Sequence, residues 1–378
     1  MNSVSPFADL KYSNPLELSV NIKNVDLSIV NAIRRVVLSE VPNVGFVFDP
    51  DDLSDDEKLI NVIQNDTPLH NELIQQRIAL VPIHVSVEEL ENWDPEEYRF
   101  EIEKSNPSNS LLPVYTRDIV VYDKDNVSRS DMAKRFFPPD PITKHHILLT
   151  KLKPSTGAKL HVSAKAITNI AKNFASFGLV SNCGVEFVVN EEDAKKQLAL
   201  FLKEHKNKDS VADLTHKFNS LERERHYERN QYREPNNVIF RMTSECSIPC
   251  SHIFSQAIGV IKSKIVAFQS ANYGVLRTDN LFTVVVSGET HTLGNLFQAL
   301  CFNHYIRNND DNENFQLKYI GYNVPHPLEK IVVFKIKGDK LVDVETVRAF
   351  VTHATDIIYK ILINFENHWN NNLLISNK

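Results

Sequence analysis

Hydrophobic and polar residues first alternate near the N-terminus. In LELSVNIK, Leu16, Leu18, Val20 and Ile22 face one way, and Glu17, Ser19, Asn21 and Lys23 the other. That period of two predicts a half-buried strand. The next run, DLSIVNAIRRVVLSEVP, changes period. Ile29, Ile33, Val36 and Val37 form a helical stripe widened by Val30 and Leu38, with Asp26 or Ser28 placed to cap it and Pro42 to bound it. Val44–Phe48 and Leu59–Ile63 read as short strands paired across DPDDLSDDEK. That loop holds six carboxylates in nine residues. Counted from Asp49, however, Ser54 and Ile60 stand where a calcium loop needs glycine and glutamate, so it reads as solvated. A second helix is predicted from Pro68 to about Leu80. Asp66 or Thr67 would cap it, Leu69, Leu73 and Leu80 would share a face, and Pro82 would end it.

Residues from about 90 to 190 read as β-rich. Tyr98, Phe100 and Ile102 alternate with charged residues, as Leu160, Val162, Ala164 and Ala166 do with polar or small ones, while Ile147–Leu149 and Val185–Val189 look like buried strands. Residues 191–234 carry ten basic and ten acidic side chains, the mixed-sign pattern of solvated helices. From Ile248 a long amphipathic helix begins, striped by Phe254, Ile258, Ile261, Ile265 and Phe268. SANYGVLRTDN then reads as a linker.

The opening plan now recurs. LFTVVVS places Phe282, Val284 and Val286 on one face of a strand. THTLGNLFQALCFNHYI is a helix with Leu293, Leu296, Phe297 and Leu300 as its stripe, and Thr290 or Thr292 as its cap. Phe315–Tyr322 and Lys330–Lys337 read as strands, and a terminal helix is striped by Phe350, Ala354, Ile357, Ile361 and Phe365. Asn31 and Asn295 hold similar places in their helices. Gly294 would weaken an exposed helix by up to ~1 kcal/mol, so its position predicts close backbone packing. Two related halves with long apolar helix faces suit a pseudo-twofold pair within one chain.

Composition narrows the function. With 378 residues, 42% hydrophobic and 24% charged, the chain is an ordinary globular protein with room for two or three domains. A net charge of −6 and a pI of about 6.2 argue against a free-standing nucleic-acid binder. The arginines and aromatics of HYERNQYRE keep such a module, using residues 191–234, as the alternative. No apolar run approaches a membrane span and the first residues do not read as a signal peptide. The expected setting is intracellular, or within a virion, with no membrane contact.

Catalytic chemistry finds no motif. The phosphate loop G-x-x-x-x-G-K-[ST], the G-x-S-x-G elbow and H-E-x-x-H are missing, as is the carboxylate motif of a polymerase active site. His145 and His146 flank a strand and need no catalytic role. Of Cys183, Cys246, Cys250 and Cys301, only Cys246 and Cys250 are close, with His252 nearby. These supply three of the four ligands a structural zinc requires. Packed thiols are the favoured reading over a metal site, and no cofactor is expected.

VDLSIVNAIRRVVLSEVPNVG and VIQNDTPLHNELIQQRIALVPI resemble the third subunit of eukaryotic RNA polymerase II, a relative of the archaeal D-type and bacterial alpha subunits. The elements carrying the match are Asn31, Arg34 and Arg35, then Arg77, Leu80 and Pro82. SGETHTLGNLFQAL and IGYNVPHPLEK look like the eleventh subunit, or its archaeal L-type relative. NIAKNFASF departs from the family's insert motif at Asn169, Ala171 and Phe174, and the cysteine cluster of many relatives is missing. The fusion of the two subunits is similar to that of some large eukaryote-infecting DNA viruses, for which the setting would be the virion and the host cytoplasm or nucleus.

The resemblance implies an α+β fold of two dimerisation modules. Residues 1–88 and 236–270 would form one, 89–235 an insert subdomain, 271–280 a linker and 281–378 the second module. It also implies a non-catalytic assembly scaffold for DNA-templated transcription. Its partners would be the second-largest and largest polymerase subunits and small subunits similar to the tenth and twelfth, with DNA met only indirectly. Arg34, Arg35 and Arg77 are the expected docking contacts. Ile29, Ile33, Phe254, Ile258, Ile261, Ile265, Leu293, Leu296, Phe297, Phe350, Ile357, Ile361 and Phe365 are the expected interface between the halves.

Overall fold

The computed structural model describes residues 5–48, 59–205, 210–245, 247–279, 281–307 and 315–376. The acidic loop at 49–58 and Cys246 lie outside the described residues. The chain divides into two compact units, one of Met1–Val37, Asn182–Thr243 and Phe254–Lys378, the other of Leu38–Ser181 and Ser244–Ile253.

The first unit contains the same plan twice. Strands β1 (Phe7–Asn14) and β2 (Glu17–Lys23) lead into helix α1 (Leu27–Ser39). Much later come β11 (Val180–Phe187), β12 (Asn237–Ser244) and helix α7 (Cys250–Ser270). These strands form one sheet in the order β1-β2-β12-β11. The second half runs β13 (Gly274–Thr278), β14 (Leu281–Ser287), helix α8 (His291–Phe302), β15 (Leu317–Asn323), β16 (Ile331–Gly338) and helix α9 (Val344–Ser376). Its sheet order, β13-β14-β16-β15, repeats the first, so α1 corresponds to α8 and α7 to α9.

Local sequence explains the elements. Leu18, Val20 and Ile22 bury alternate positions of β2, and Phe282, Val284 and Val286 do so in β14. Asp26 caps α1, its Oδ1 accepting from the Ser28 N–H at 2.8 Å. Gly294 is required where it stands, because a Cβ there would lie 2.5 Å from Cδ2 of the Tyr322 ring on β15.

Several expectations need correction. The segment predicted as a linker contains β13, paired along its whole length with β14. It is the counterpart of β1, which the alternation of residues does not reveal either. The stretch 182–235, assigned above to the insert, belongs to the first unit, because β11 extends the first sheet. Conversely, residues 38–88 belong to the second unit. The charge-dense segment forms helices α5 (Glu191–Glu204) and α6 (Val211–Leu221), which pack through Phe201 and Phe218, 5.6 Å between ring centroids.

The terminal helix buries Phe350, Ala354 and Phe365 of the expected stripe but not Ile357 or Ile361. Val347, Val351, Ala354, Ile358, Leu362, Phe365 and Trp369 are buried with Phe350, whereas Ile361 is 37% exposed and Ile357 is only half-buried. Buried positions recur at eleven-residue spacing, 347/358/369, 351/362 and 354/365. This matches about 3.67 residues per turn, so a chain of three- and four-residue steps drifts off the buried face.

In the second unit, β3 (Pro42–Gly45) pairs with β10 (Ile167–Ile170). Strands β4 (Ile60–Asn65), β5 (Tyr98–Ser105), β7 (Ile119–Asp123) and β9 (Lys159–Ala164) form a sheet in the order β4-β9-β5-β7. A third pairing joins β6 (Leu112–Tyr115) to β8 (Leu148–Leu152). The two strands flanking the acidic loop therefore pair elsewhere, not with each other. Helices α2 (Asn71–Ala79), α3 (Val87–Glu91) and α4 (Ser130–Phe136) complete the unit. Phe46, Phe100 and Phe136 are fully buried in its core, with Phe46 edge-on to Phe100 at 5.0 Å. Helix α2 begins three residues later than expected, capped at His70 without a side-chain bond. It buries Ile74, Gln75, Ile78 and Ala79, and leaves Leu73 and Leu80 exposed. Thr67 instead braces the turn before the helix, accepting from the Leu69 N–H.

Candidate assembly interface

The two halves of the first unit meet along α7 and α9. Every predicted stripe residue of α7 is buried. Phe254 meets Trp369 with ring centroids 4.3 Å apart, and Phe7 of β1 joins them at 6.3 Å from Phe254 and 5.3 Å from Trp369. The indole N–H donates to Ser255 Oγ at 2.9 Å. Further along, Lys262 Nζ meets Glu366 at 2.5 Å, and Gln269 donates to Asp356 at 2.6 Å. Ascending numbers on α7 thus meet descending numbers on α9, so the helices run antiparallel. In the last turn of α7, Phe268 packs edge-on to Phe297 of α8 at 5.1 Å and on Phe334 of β16 at 5.7 Å. Aromatic rings of this size dominate interface energetics.

Polar contacts fix the register. Lys264 and Glu289 pair at 3.0 Å, each largely shielded. Arg35 Nε donates to Thr292 Oγ1 at 3.0 Å, joining α1 to the start of α8. Beyond α8 a π-helical turn over Asn303–Arg307 places two more groups across the interface. Asn303 Nδ2 donates to Asp26. Arg307 makes two bonds to Glu234, at 2.8 and 2.7 Å. Its guanidinium also lies 4.2 Å from the Tyr232 ring centroid and 5.1 Å from that of Phe302. The bonds to Arg307 hold the Glu234 carboxyl below its usual range, and the same pairing raises Arg307.

The predicted docking arginines differ in their surroundings. Arg34 is half-buried and holds Asn31 Oδ1 through Nε and Nη2, at 3.1 and 3.0 Å. Arg35 is turned to Thr292, inside the contact between halves. Arg77, in the second unit, donates to the carbonyls of Leu149 and Leu148 at 2.5 and 2.6 Å, tying α2 to β8. Leu80, three residues on, is 69% exposed.

The dimer-interface residues proposed from sequence are buried except Ile357 and Ile361. Sequence reading missed Phe7, Trp369, Arg307 and Glu234. Trp369 was within reach, since it stands four residues beyond Phe365 on the same helix. Nothing local marks Arg307, whose partner is 73 residues away.

Cys183, Cys250 and Cys301 are buried, and burial drives the Cys301 thiol well up. Among the described residues, no cluster of three or more His, Cys, Asp or Glu is arranged to hold a metal. His252 lies 3.9 Å from Glu91. No described helix is long and apolar enough to cross a membrane.

Residues 19–265 match the family described as the RNA polymerase Rpb3/Rpb11 dimerisation domain. The match begins in β2 and ends in α7. The chain is similar to DNA-directed RNA polymerases I and III subunit RPAC1 of Saccharomyces cerevisiae, 27% identical over 190 residues, covering 44% of this chain and 52% of that protein. It is 29% identical over 136 residues to DNA-directed RNA polymerase subunit Rpo3 of Methanothermobacter thermautotrophicus, covering 36% and 47%. It is also 23% identical over 188 residues to DNA-directed RNA polymerases IV and V subunit 3B of Arabidopsis thaliana, covering 45% and 54%. The chain spans about half the length of the curated relatives it matches.

Proposed function

We propose that this chain, which belongs to the RNA polymerase Rpb3/Rpb11 dimerisation-domain family, is a non-catalytic assembly platform of a DNA-directed RNA polymerase carrying both partners of the dimer on one polypeptide. The observation that carries this reading is the repeated topology, β1-β2-β12-β11 and β13-β14-β16-β15, with the two copies packed through α7 and α9. The second copy is read as the eleventh-subunit-like partner. Fusing the partners makes their pairing unimolecular, at an effective concentration of order millimolar. The platform is then complete before any large subunit arrives.

The docking partners in this reading are the second-largest subunit first, then the largest, with small subunits beside them. Arg34 is its best docking group. A guanidinium offers bidentate bonds to carboxylates and stacks on flat surfaces, and among the described residues Arg34 bonds to Asn31 within its own helix turn. Arg35 and Arg77 have partners whose loss would disturb the fold itself. In the second unit, the exposed Leu80 supplies an apolar contact of the kind an assembly surface uses.

The alternative, nucleic-acid binding through residues 191–234, is weakened by ion pairs. Arg223 pairs with Glu191, and Arg225 with Glu222 at 3.0 Å, so less positive charge is left for phosphates.

The test is Arg34→Glu in the full chain, co-expressed with the two large subunits of its own polymerase. The expected result is an unchanged melting temperature and loss of both large subunits from the tagged chain. Recovery of the large subunits at wild-type yield removes Arg34 from the docking site. Failure of the wild-type chain to recover them overturns the platform reading.

A further inference from the structure

Each half opens with an edge strand that has one buried aromatic anchor. In the first half the anchor is Phe7, paired with Ile22 of β2. In the second, Gly274 pairs with Val285, which sets the buried Tyr273 opposite Val286 of β14. Ile22 precedes Asn31 by the same nine residues (31 − 22) as Val286 precedes Asn295 (295 − 286). Phe7 and Tyr273 are therefore equivalent positions of the repeat.

Each anchor is held by the long helix of the opposite half. Phe7 lies with its ring centroid 4.8 Å from that of Phe365 and 5.3 Å from that of Trp369, both on α9. Asn372, one turn beyond Trp369, donates to Ser5 Oγ at 2.8 Å. Tyr273 packs on Phe268 of α7 at 5.6 Å. The two clamps are reciprocal in space but not along the chain. Tyr273 and Phe268 are near neighbours in sequence and can meet as soon as α7 forms. Ser5 and Asn372 are 367 residues apart, so Phe7 finds its two α9 rings only once the end of α9 has docked.

Strand β1 has little else to hold it. Among its described side chains only Phe7 is buried. Its pairing with β2 loses register twice, between Ala8 and Lys11 and between Tyr12 and Asn14. Asp9 takes a φ of 50°, a left-handed conformation unfavourable for a residue with a Cβ. By contrast, β13 pairs with β14 at five successive positions without a shift. An irregular, charged strand suits the outside of a sheet, where it resists pairing with other chains. The strand beneath it is of the opposite kind. β2 pairs with β12 without a break and alternates Leu18, Val20 and Ile22 on one face. Uncovered, it presents a regular edge open to strand addition.

We propose that β1 is a strap that closes the first sheet and that the last turns of α9 hold it shut, so that the β2 edge is sealed only in a chain whose second half has folded. The device goes beyond the assembly reading, because it acts within one chain and needs no polymerase partner. It places completion of the first half under the control of residues 365–372 of the second.

The test is amide hydrogen exchange on the full chain, read by mass spectrometry of peptides over β1, β2, β12, β13 and β14. In Trp369→Ala the strap should open. Peptides of β1 and β2 should then exchange at least about tenfold faster, as in a local opening, while β12, β13 and β14 keep wild-type rates. Tyr273→Ala should leave β1 as protected as in the wild type. If Trp369→Ala does not fold, Asn372→Ala and Phe365→Leu carry the same expectation with a smaller acceleration. In low concentrations of urea, wild-type β1 and residues 363–376 should open together, and before β13. Wild-type protection of β1 in the folded variants overturns the proposal. So does equal acceleration in all five strands, which would make Trp369 a core ring and nothing more. Loosening of β1 by Tyr273→Ala, or opening of β13 before β1, overturns it as well.

Discussion

Phe254 of the first half and Trp369 of the second lie with ring centroids 4.3 Å apart, and neither ring is exposed to solvent. Phe240 also meets Phe254 edge-on, at 5.3 Å. The pair therefore links the core of one half to the last buried turn of the other. Phe254→Ala should cost ~3–5 kcal/mol, the range for truncating a buried aromatic. Urea unfolding should show a lower midpoint with an unchanged slope. A loss under about 1 kcal/mol would mean that the ring is not part of a packed core.

Gly294 and Tyr322 form a second, local test. A methyl at 294 would enter the Tyr322 ring, so Gly294→Ala should destabilise by ~1–3 kcal/mol through overpacking, despite alanine's better helix propensity. In a Tyr322→Ala background the same substitution should become neutral or favourable. The double-mutant cycle should return a coupling well above ~0.5 kcal/mol, and an additive cycle would show that the ring yields freely.

Much of this architecture was legible because burial has a period. Leu18, Val20 and Ile22 on β2, the stripe from Phe254 to Phe268 on α7, and the stripe of α8 are all set by local alternation that no distant contact overrides. Strand β13 was not legible. Its Leu276 is 63% exposed and its five residues are too few to establish a period, so pairing with β14 decides its conformation. On α9 the stripe was found at Phe350, Ala354 and Phe365 but strayed from the buried face at Ile357 and Ile361, since steps of three and four residues fit neighbouring faces nearly as well. The polar links were unreadable for a different reason. Arg35 finds Thr292 and Arg307 finds Glu234 across separations of 257 and 73 residues, and no local pattern encodes a partner at such distance.

The connection between halves is shorter than the linker the sequence suggested. Residue Tyr273 is buried and packs on Phe268 at 5.6 Å, and its carbonyl accepts from Arg348, so only the chain just after α7 is free of the second half. A protease site inserted after Asn272, which is exposed, should be cleavable in the folded protein. After cleavage the two fragments should co-elute on gel filtration at micromolar concentration, held by the α7–α9 contact. Their melting temperature should now depend on concentration, as it does for any associated pair. Separation of the fragments would show that covalent linkage, not the interface, holds the halves together.

The Arg307–Glu234 pair provides a pH-dependent prediction. The guanidinium is bidentate and flanked by two rings, a geometry lysine cannot reproduce, so Arg307→Lys should lose nearly as much stability as Arg307→Met. Glu234 is 46% exposed on its side chain, and solvent screening limits the pair to about 1 kcal/mol. Because Arg307 lowers the Glu234 pKa in the folded state, the folded protein binds fewer protons than the unfolded chain once the pH falls below about 4.3. The pair's contribution is therefore complete above that value and is lost as the pH falls through the lowered folded pKa. The difference in melting temperature between wild type and Arg307→Met should be constant from pH 7 to pH 5 and shrink below pH 4. A difference that persists unchanged at pH 3 would assign the effect to the rings of Tyr232 and Phe302 rather than to the charge.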